Sequence, residues 1–241
     1  MLIGIVPMGG YAERWFPYPC PKELLPFGID ANGRPRVIAD HVIERMMAAN
    51  VEQVILPIRA EKAFLVMKYI GHCLPNGVPV IYLAAPGPTL LANLQACGPY
   101  IRGQRVLFGM PDTFFSPGTA FLDCLNLLHD PFNLVLGCFY HKHPDGLDLI
   151  DRDGDVLLAV RPKPRPATEN GNDAWGIAVW GPEFTERLIE WRSDEGSTPG
   201  FVFNAAARAG QAACVQFVDG FYEDLADYST YQKALARMDG Q

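Results

Sequence analysis

The chain has 241 residues, 49% of them hydrophobic and 20% charged, which excludes a disordered, fibrous or collagen-like protein and predicts a sizeable buried core. Its 20 Lys+Arg against 27 Asp+Glu leave a net charge of -7, which argues against a surface built to neutralise nucleic-acid phosphates or anionic lipid. Any phosphate-bearing ligand must therefore meet local basic groups.

Met1 to Pro7 is apolar but has no Lys or Arg ahead of it and runs directly into Gly9 and Gly10, so it does not read as a signal peptide. No apolar run approaches the ~18 residues of a membrane span. The six cysteines (Cys20, Cys73, Cys97, Cys124, Cys138, Cys214) stand singly, without C-x-x-C spacing, and read as reduced, mostly buried thiols. A cytoplasmic location is the expectation.

Short apolar runs alternate with helical patterns, which predicts βαβ units in one α/β domain over residues 1–241, a Rossmann-like fold whose mixed, mainly parallel twisted sheet is flanked by helices. Leu2 to Pro7 reads as the first strand. Arg36 to Ala49 places Ile38, Val42, Met46 and Ala49 on one helical face; Gln53 to Pro57 reads as a strand and Glu61 to Ile70 as a helix. Pro79 to Leu83 is the third strand, Thr89 to Cys97 a helix, and Arg105 to Gly109 a central strand. Ser116 and Pro117 read as the opening of the next helix, and Leu134 to Tyr140 as another buried strand. Asp148 to Ile150 and Val156 to Val160 flank an acidic turn and predict a hairpin. Trp175 to Trp180 reads as a strand, Pro182 to Trp191 as a helix, Ser193 to Gly200 as a loop and Cys214 to Val218 as a late strand. A closing helix covers Tyr228 to Met238, capped by Asp227.

The loop after the first strand carries the most information. Pro17, Pro19 and Pro21 forbid the helix that a dinucleotide-binding fingerprint needs, and no G-K-[ST] supports a P-loop. What remains is Gly9-Gly10 at a strand end, where backbone N–H groups can approach an anion, followed by Arg14 and Lys22 in a proline-stiffened loop. Arg14 offers a planar fork for two phosphate oxygens, and Lys22 a compact point charge. The same residues also fit a tight turn with two solvated charges. His141-x-His143 with Asp145 has ligand types but no further His or Cys nearby, and reads as solvated loop histidines. Asp151-x-Asp153-Gly154-Asp155 lacks the glutamate a calcium loop places at its twelfth position. No G-x-S-x-G elbow exists for a hydrolase.

The sequence Gly9-Gly10-Tyr11-Ala12-Glu13-Arg14-Trp15-Phe16-Pro17, then Pro21-Lys22-Glu23-Leu24-Leu25-Pro26, resembles the G-G-x-G-T-R-x-x-P and P-K-x-L-L-P motifs of the sugar-phosphate nucleotidylyltransferase superfamily. It looks like the glucose-1-phosphate thymidylyl- and uridylyltransferases and the short phosphocholine cytidylyltransferases. Asp112, after an apolar strand, and Asp224, before the last helix, are similar to that family's two magnesium-binding aspartates. Lys163, after the hairpin, resembles the lysine of its E-K-P motif, which faces the acceptor phosphate. The resemblance implies Mg²⁺-dependent transfer of a nucleotidyl group from a nucleoside triphosphate to a phosphorylated small molecule, most simply a sugar 1-phosphate, with release of pyrophosphate. It assigns Arg14 to the leaving pyrophosphate, Lys22 to the α-phosphate, Lys163 to the acceptor, and Gly9, Gly10, Thr89 and Gly176 to substrate binding. A homo-oligomer is compatible with it; nucleic acid and membrane are not expected partners.

Three positions depart from the family pattern. Ala12-Glu13 stands where the motif has Gly-Thr, Thr89 where the base-reading turn has glycine, and Arg161-Pro162 where Val-Glu precedes the lysine. Two alternatives therefore stay open: a cytidylyltransferase for a small phosphate or phosphonate, and a catalytically silent subunit that keeps the fold.

Overall fold

The structure, a computed structural model, describes residues 1–10, 20–30, 33–85, 87, 89–142, 146–162, 172–192, 198–225 and 227–239. Strand β1 (Leu2–Ile5) is followed by the short strands β2 (Pro26–Ile29) and β3 (Pro35–Val37), helix α1 (Ile38–Ala48), β4 (Gln53–Ile58) and α2 (Ala60–Ile70). Then come β5 (Val80–Ala84), α3 (Leu90–Ala96), α4 (Gly98–Ile101), β6 (Arg105–Gly109), β7 (Thr113–Ser116), α5 (Ala120–Leu127) and β8 (Leu134–Tyr140). The last third comprises β9 (Leu149–Asp153), β10 (Val156–Arg161), β11 (Asp173–Trp180), α6 (Pro182–Glu190), α7 (Pro199–Arg208), β12 (Ala212–Gln216), β13 (Phe221–Asp224) and α8 (Tyr228–Asp239).

Nine strands form one sheet in the order β5-β4-β1-β6-β11-β8-β12-β10-β9. The four strands β5, β4, β1 and β6 run parallel, as the βαβ pattern requires. Beyond them the expectation of a mainly parallel sheet is corrected, because β11 runs antiparallel to both β6 and β8, and β10 is antiparallel to both β12 and β9. Trp175 to Trp180 is a continuous apolar run because both faces of β11 are covered. Such a run carries no information about pairing direction.

The sheet is buried on both faces. Val42 and Met46 of α1 and Phe121 and Cys124 of α5 pack with Leu107, Val135, Phe139 and Val179 on one side. Leu94 of α3, Phe184 and Leu188 of α6 and Phe203 of α7 pack with Ile5, Phe108, Leu136 and Trp180 on the other. Fully burying one such aromatic or aliphatic side chain contributes roughly 1.5–3 kcal/mol. The Trp180 indole N–H, which burial would otherwise leave unsatisfied, donates to Thr185 Oγ1 at 3.1 Å. A third, smaller cluster of Leu25, Phe27, Ile38, Phe114, Leu225 and Tyr231 ties α8 to two ribbons outside the main sheet, β2–β3 and β7–β13.

Two local readings change. Ser116 ends β7 instead of opening a helix; α5 begins at Ala120, after Thr119, whose hydroxyl donates to Asp123 at 2.8 Å. Pro199 and Gly200, read as loop, are the first turn of α7, an alanine-rich helix that the sequence pattern missed. Asp227 caps α8 as expected, with Oδ1 accepting from the Ser229 and Thr230 amides at 2.9 and 3.0 Å. All six cysteines are free; Cys97, Cys124, Cys138 and Cys214 are buried. Among the described residues no helix is long and apolar enough to cross a membrane.

Candidate active site

The carboxyl ends of parallel strands β1 and β6 point to the same edge of the sheet, the usual place for a ligand in an open α/β sheet. Antiparallel β11 brings its amino end there as well, with Ile177 opposite Gly109. A cavity of about 430 Å³ opens at this edge. Lys22, Thr89, Asp112 and Asp224 all line it, together with Met110, Asp148, Trp175 and Tyr222. Residues drawn from seven separate places in the chain thus converge, and Lys22, Thr89, Asp112 and Asp224 among them are residues the sequence motifs single out.

Lys22 opens a 3-10 turn, Lys22–Leu24, set by Pro21: the Leu24 amide donates to the Pro21 carbonyl at 2.9 Å and the Leu25 amide to the Lys22 carbonyl at 3.1 Å. The next residue, Glu23, is buried and forms an ion pair of 2.7 Å with Lys62 of α2, which ties the turn to that helix. Removing one partner of such a buried pair typically costs 3–5 kcal/mol, so the pair holds the turn firmly even where its net contribution is small. Lys22 itself donates to Asp112. Burial disfavours its charge, but the Asp112 carboxylate, with Asp224 and Glu23 behind it, outweighs that and raises the ammonium pKa above the ordinary lysine value. Lys22 is therefore a fixed cation at neutral pH.

Asp112 and Asp224 are far apart in sequence and meet through the β7–β13 ribbon. Thr113 pairs with Asp224, and the Leu225 amide donates to the Asp112 carbonyl at 2.9 Å. The ribbon thereby delivers both carboxylates to one mouth of the cavity, Asp112 nearly buried at 6% exposure. Tyr222, two residues before Asp224, lies under them. Burial pushes its phenol well above the ordinary value, and Asp224 and Asp112 push the same way, so it remains a neutral hydroxyl.

The candidate glycines divide. An added Cβ on Gly9 would stand 2.8 Å from Asn93 Nδ2, so the first glycine allows α3 to pack against the loop. Asn93 is buried, and its Oδ1 has no partner among the described residues. Gly10 faces open space, and neither glycine is among the described residues that line the cavity. Gly176 also lies outside that lining: an added Cβ would meet the Tyr222 ring at 2.4 Å and Phe139 at 2.9 Å. Its missing side chain makes room for Tyr222. Thr89 is both a lining residue and the N-cap of α3, with Oγ1 accepting from the Ala92 amide at 3.2 Å.

The part of the lining around Asp148 and Trp175 is not legible in the sequence. Asp148, 9% exposed, accepts a 3.4 Å hydrogen bond from the Trp175 indole, and its Oδ2 lies 2.4 Å from where a Cβ on Gly200 would be. Thr198 and Pro199 at the start of α7 complete this wall with Gly146 and Leu147. Asp148 carried no motif and sat in a strand pattern, and α7 was missed, so no local signal pointed to this wall. His141, read as solvated, is half-buried edge-on to Tyr222, with centroids 5.7 Å apart, and burial lowers its pKa. Arg14, Lys163, Ala12, Glu13, His143 and Asp145 lie outside the described residues.

Among the described residues no group of three or more His, Cys, Asp or Glu could hold a metal by protein ligands alone. Two carboxylates with only oxygen donors fit Mg²⁺, which commonly takes one or two carboxylates and fills its octahedron with water and substrate phosphates. In the structure the Asp112 carboxylate faces the Lys22 ammonium. A second hollow of about 350 Å³, lined by Arg105, His129, Asp130 and Glu183, contains none of these residues.

No family model matches the chain, and no curated protein matches it in sequence. Solved structures match it closely in shape. The fold is that of the sugar-phosphate nucleotidylyltransferases, as the motifs had suggested. A Bacillus anthracis protein assigned as a glucose-1-phosphate thymidylyltransferase, in complex with a sucrose, superposes with a TM-score of 0.85 at 16% identity, over 98% of this chain and 95% of that one. A UTP-bound UGPase from Acinetobacter baumannii gives 0.79 at 15% identity, over 99% and 93%. A UDP-glucose pyrophosphorylase complexed with UDP-glucose gives 0.82 at 14%, over the full length of both chains.

Proposed function

We propose that the chain, acting as one domain over residues 1–241, is a Mg²⁺-dependent nucleotidylyltransferase that joins a nucleoside triphosphate to a sugar 1-phosphate. The observation that carries this reading is the convergence of Lys22, Asp112 and Asp224 on one end of a single cavity, at the strand ends of a fold shared with sugar-phosphate nucleotidylyltransferases. The acceptor's phosphate oxygen attacks the α-phosphorus in line. A new P–O bond forms as the bond to the bridging β-oxygen breaks, and pyrophosphate leaves with that electron pair. No protein nucleophile is needed, so the chain's contribution is positioning and charge.

Lys22, kept cationic by its carboxylate neighbours, presents its ammonium to the α-phosphate. Asp112 and Asp224 would hold Mg²⁺, which when bound neutralises developing phosphate charge. By the sequence resemblance, Arg14 holds the leaving pyrophosphate and Lys163 the acceptor phosphate. The hydroxyl-bearing part of the acceptor occupies the Asp148–Trp175 end, where a carboxylate can only accept hydrogen bonds and an indole face covers apolar ring atoms.

The test is pyrophosphate release measured with each common nucleoside triphosphate against hexose 1-phosphates, phosphocholine and a small phosphonate, with Mg²⁺. Release that requires both a triphosphate and a sugar 1-phosphate is expected. Release only with a small phosphate or phosphonate would move the acceptor class, and no release with any pair would leave a silent subunit.

A further inference from the structure

The two carboxylates stand on a ribbon of only two strands, outside the nine-stranded sheet. The ribbon packs its Phe115 and Tyr222 side chains into the core, but the backbone groups on its outer edge still need partners. On the β7 edge that faces away from β13, the Phe115 amide has no strand partner among the described residues. The imidazole of His41, on α1 and 3% exposed, meets it there. His41 Nε2 accepts from the Phe115 N–H at 3.1 Å and stands 3.0 Å from the Phe115 carbonyl oxygen. One ring nitrogen cannot accept from the N–H and donate to the C=O at once. Both groups are left orphaned by a ribbon edge; a neutral ring serves the N–H with its proton on Nδ1 or the C=O with its proton on Nε2, and either bond ties the same edge.

The surroundings hold the ring in this state and orientation. Phe114 and Phe115 pack edge-on against it, with centroids 4.8 and 5.1 Å away. Arg45 and Arg36 both disfavour a charged imidazole, and burial does so most strongly. Phe115 is three residues from Asp112, and its cross-strand partner Tyr222 is two from Asp224. A shift of the β7 edge would thus move both carboxylates relative to Lys22, whose own turn is anchored separately through Glu23 and Lys62.

We propose that His41 is a positioning residue for the site: its Nε2 fixes the Phe115 edge of the β7–β13 ribbon and so sets Asp112 and Asp224 against Lys22. The catalytic consequence rests on the function proposed above; the anchoring does not. His41 touches no substrate and takes no part in the chemistry.

The experiment compares His41→Gln, whose amide reaches the Nε2 position, with His41→Asn, whose amide stops at the Nδ1 position, and His41→Leu, which lacks an acceptor. Val66→Ala, a buried change in α2, serves as a control for stability loss alone. Hydrogen exchange by mass spectrometry should show faster exchange in peptides covering 112–116 and 221–225 for the Asn and Leu variants, and near-parent protection for Gln. In turnover, Asn and Leu should lose about tenfold or more in kcat and need several-fold more Mg²⁺ for half-maximal rate. Gln should restore both, and Val66→Ala should leave both unchanged at a comparable drop in Tm. If Leu does not fold, the Asn and Gln pair gives the same comparison. Parent-like exchange of the ribbon in the Asn variant overturns the anchoring, and loosened exchange with unchanged kcat and Mg²⁺ requirement overturns the positioning role. A parent that releases no pyrophosphate counts against the enzyme reading, while the exchange data still decide whether His41 holds the ribbon.

Discussion

The two ends of the cavity are supported by different kinds of structure. At the charged end, Lys22 sits on a 3-10 turn, Asp112 directly before β7 and Asp224 at the end of β13, all outside the main sheet. The ribbon packs Phe115 and Tyr222 into the core, and the polar contacts Glu23–Lys62 and His41–Phe115 tie the turn and the ribbon edge to α2 and α1. At the other end, Trp175 belongs to β11 in the middle of the nine-stranded sheet, and Asp148 lies one residue before β9. The residues proposed to meet charged ligands thus stand on elements outside the main sheet, whereas Trp175 belongs to the sheet itself. Deleting one polar group should be felt far more at the first end than at the second.

The largest expected effect tests the charged end directly. On the function proposed above, Asp112→Asn and Asp224→Asn should each lower pyrophosphate release by on the order of a hundredfold or more, because each would remove a charge assigned to metal and phosphate. Circular dichroism should show both variants folded; normal turnover in either would take that aspartate out of the site. Next, Gly176→Ala sharpens the contrast from the core side. The new methyl would collide with the Tyr222 ring, and the core cannot yield cheaply, so urea denaturation should show a loss of roughly 1–3 kcal/mol. Parent-like stability would mean that the Tyr222 ring, and with it the strand that carries Asp224, yields freely.

A third effect follows from His41. Its folded pKa is lowered to about 3 by burial first, then by Arg45, with the Phe115 bond opposing. An unfolded histidine binds a proton near pH 6.5 while the folded one does not, so the folded state is favoured above that pH and loses stability as pH falls. Between pH 7 and pH 5 the loss should be about 2 kcal/mol, and His41→Gln should flatten this part of the pH profile. Lys22 works in the opposite sense. Its raised pKa adds stability through neutral pH that is lost only as pH rises beyond the ordinary lysine range.

The smallest effect belongs to the far wall. Asp148→Asn keeps the side chain's shape and should raise the acceptor KM by about tenfold, or ~1.4 kcal/mol, with the triphosphate KM unmoved. Equal changes in both constants would mean that Asp148 serves the whole cavity instead of its acceptor end.

By itself the sequence determined the α/β class, most strand and helix positions and the candidates Lys22, Asp112, Asp224 and Thr89, all of which line the cavity. These were readable because apolar periodicity, proline punctuation and the P-K-x-L-L-P run are local properties of the chain. What only the tertiary structure decided is non-local. Strand direction on either side of β11 is invisible in a run buried on both faces, so the mixed sheet has more antiparallel pairing than the mainly parallel one expected. That Gly176 has to leave room for the Tyr222 ring is likewise a contact between β11 and β13, strands distant in sequence. Asp148 and His41 carry no motif at all. Asp148 acquires its place because β9 and the start of α7 close around Trp175, and His41 because α1 lies along a ribbon edge with one amide left to satisfy. Such roles arise from long-range packing and hydrogen-bond completion, which no window of sequence contains.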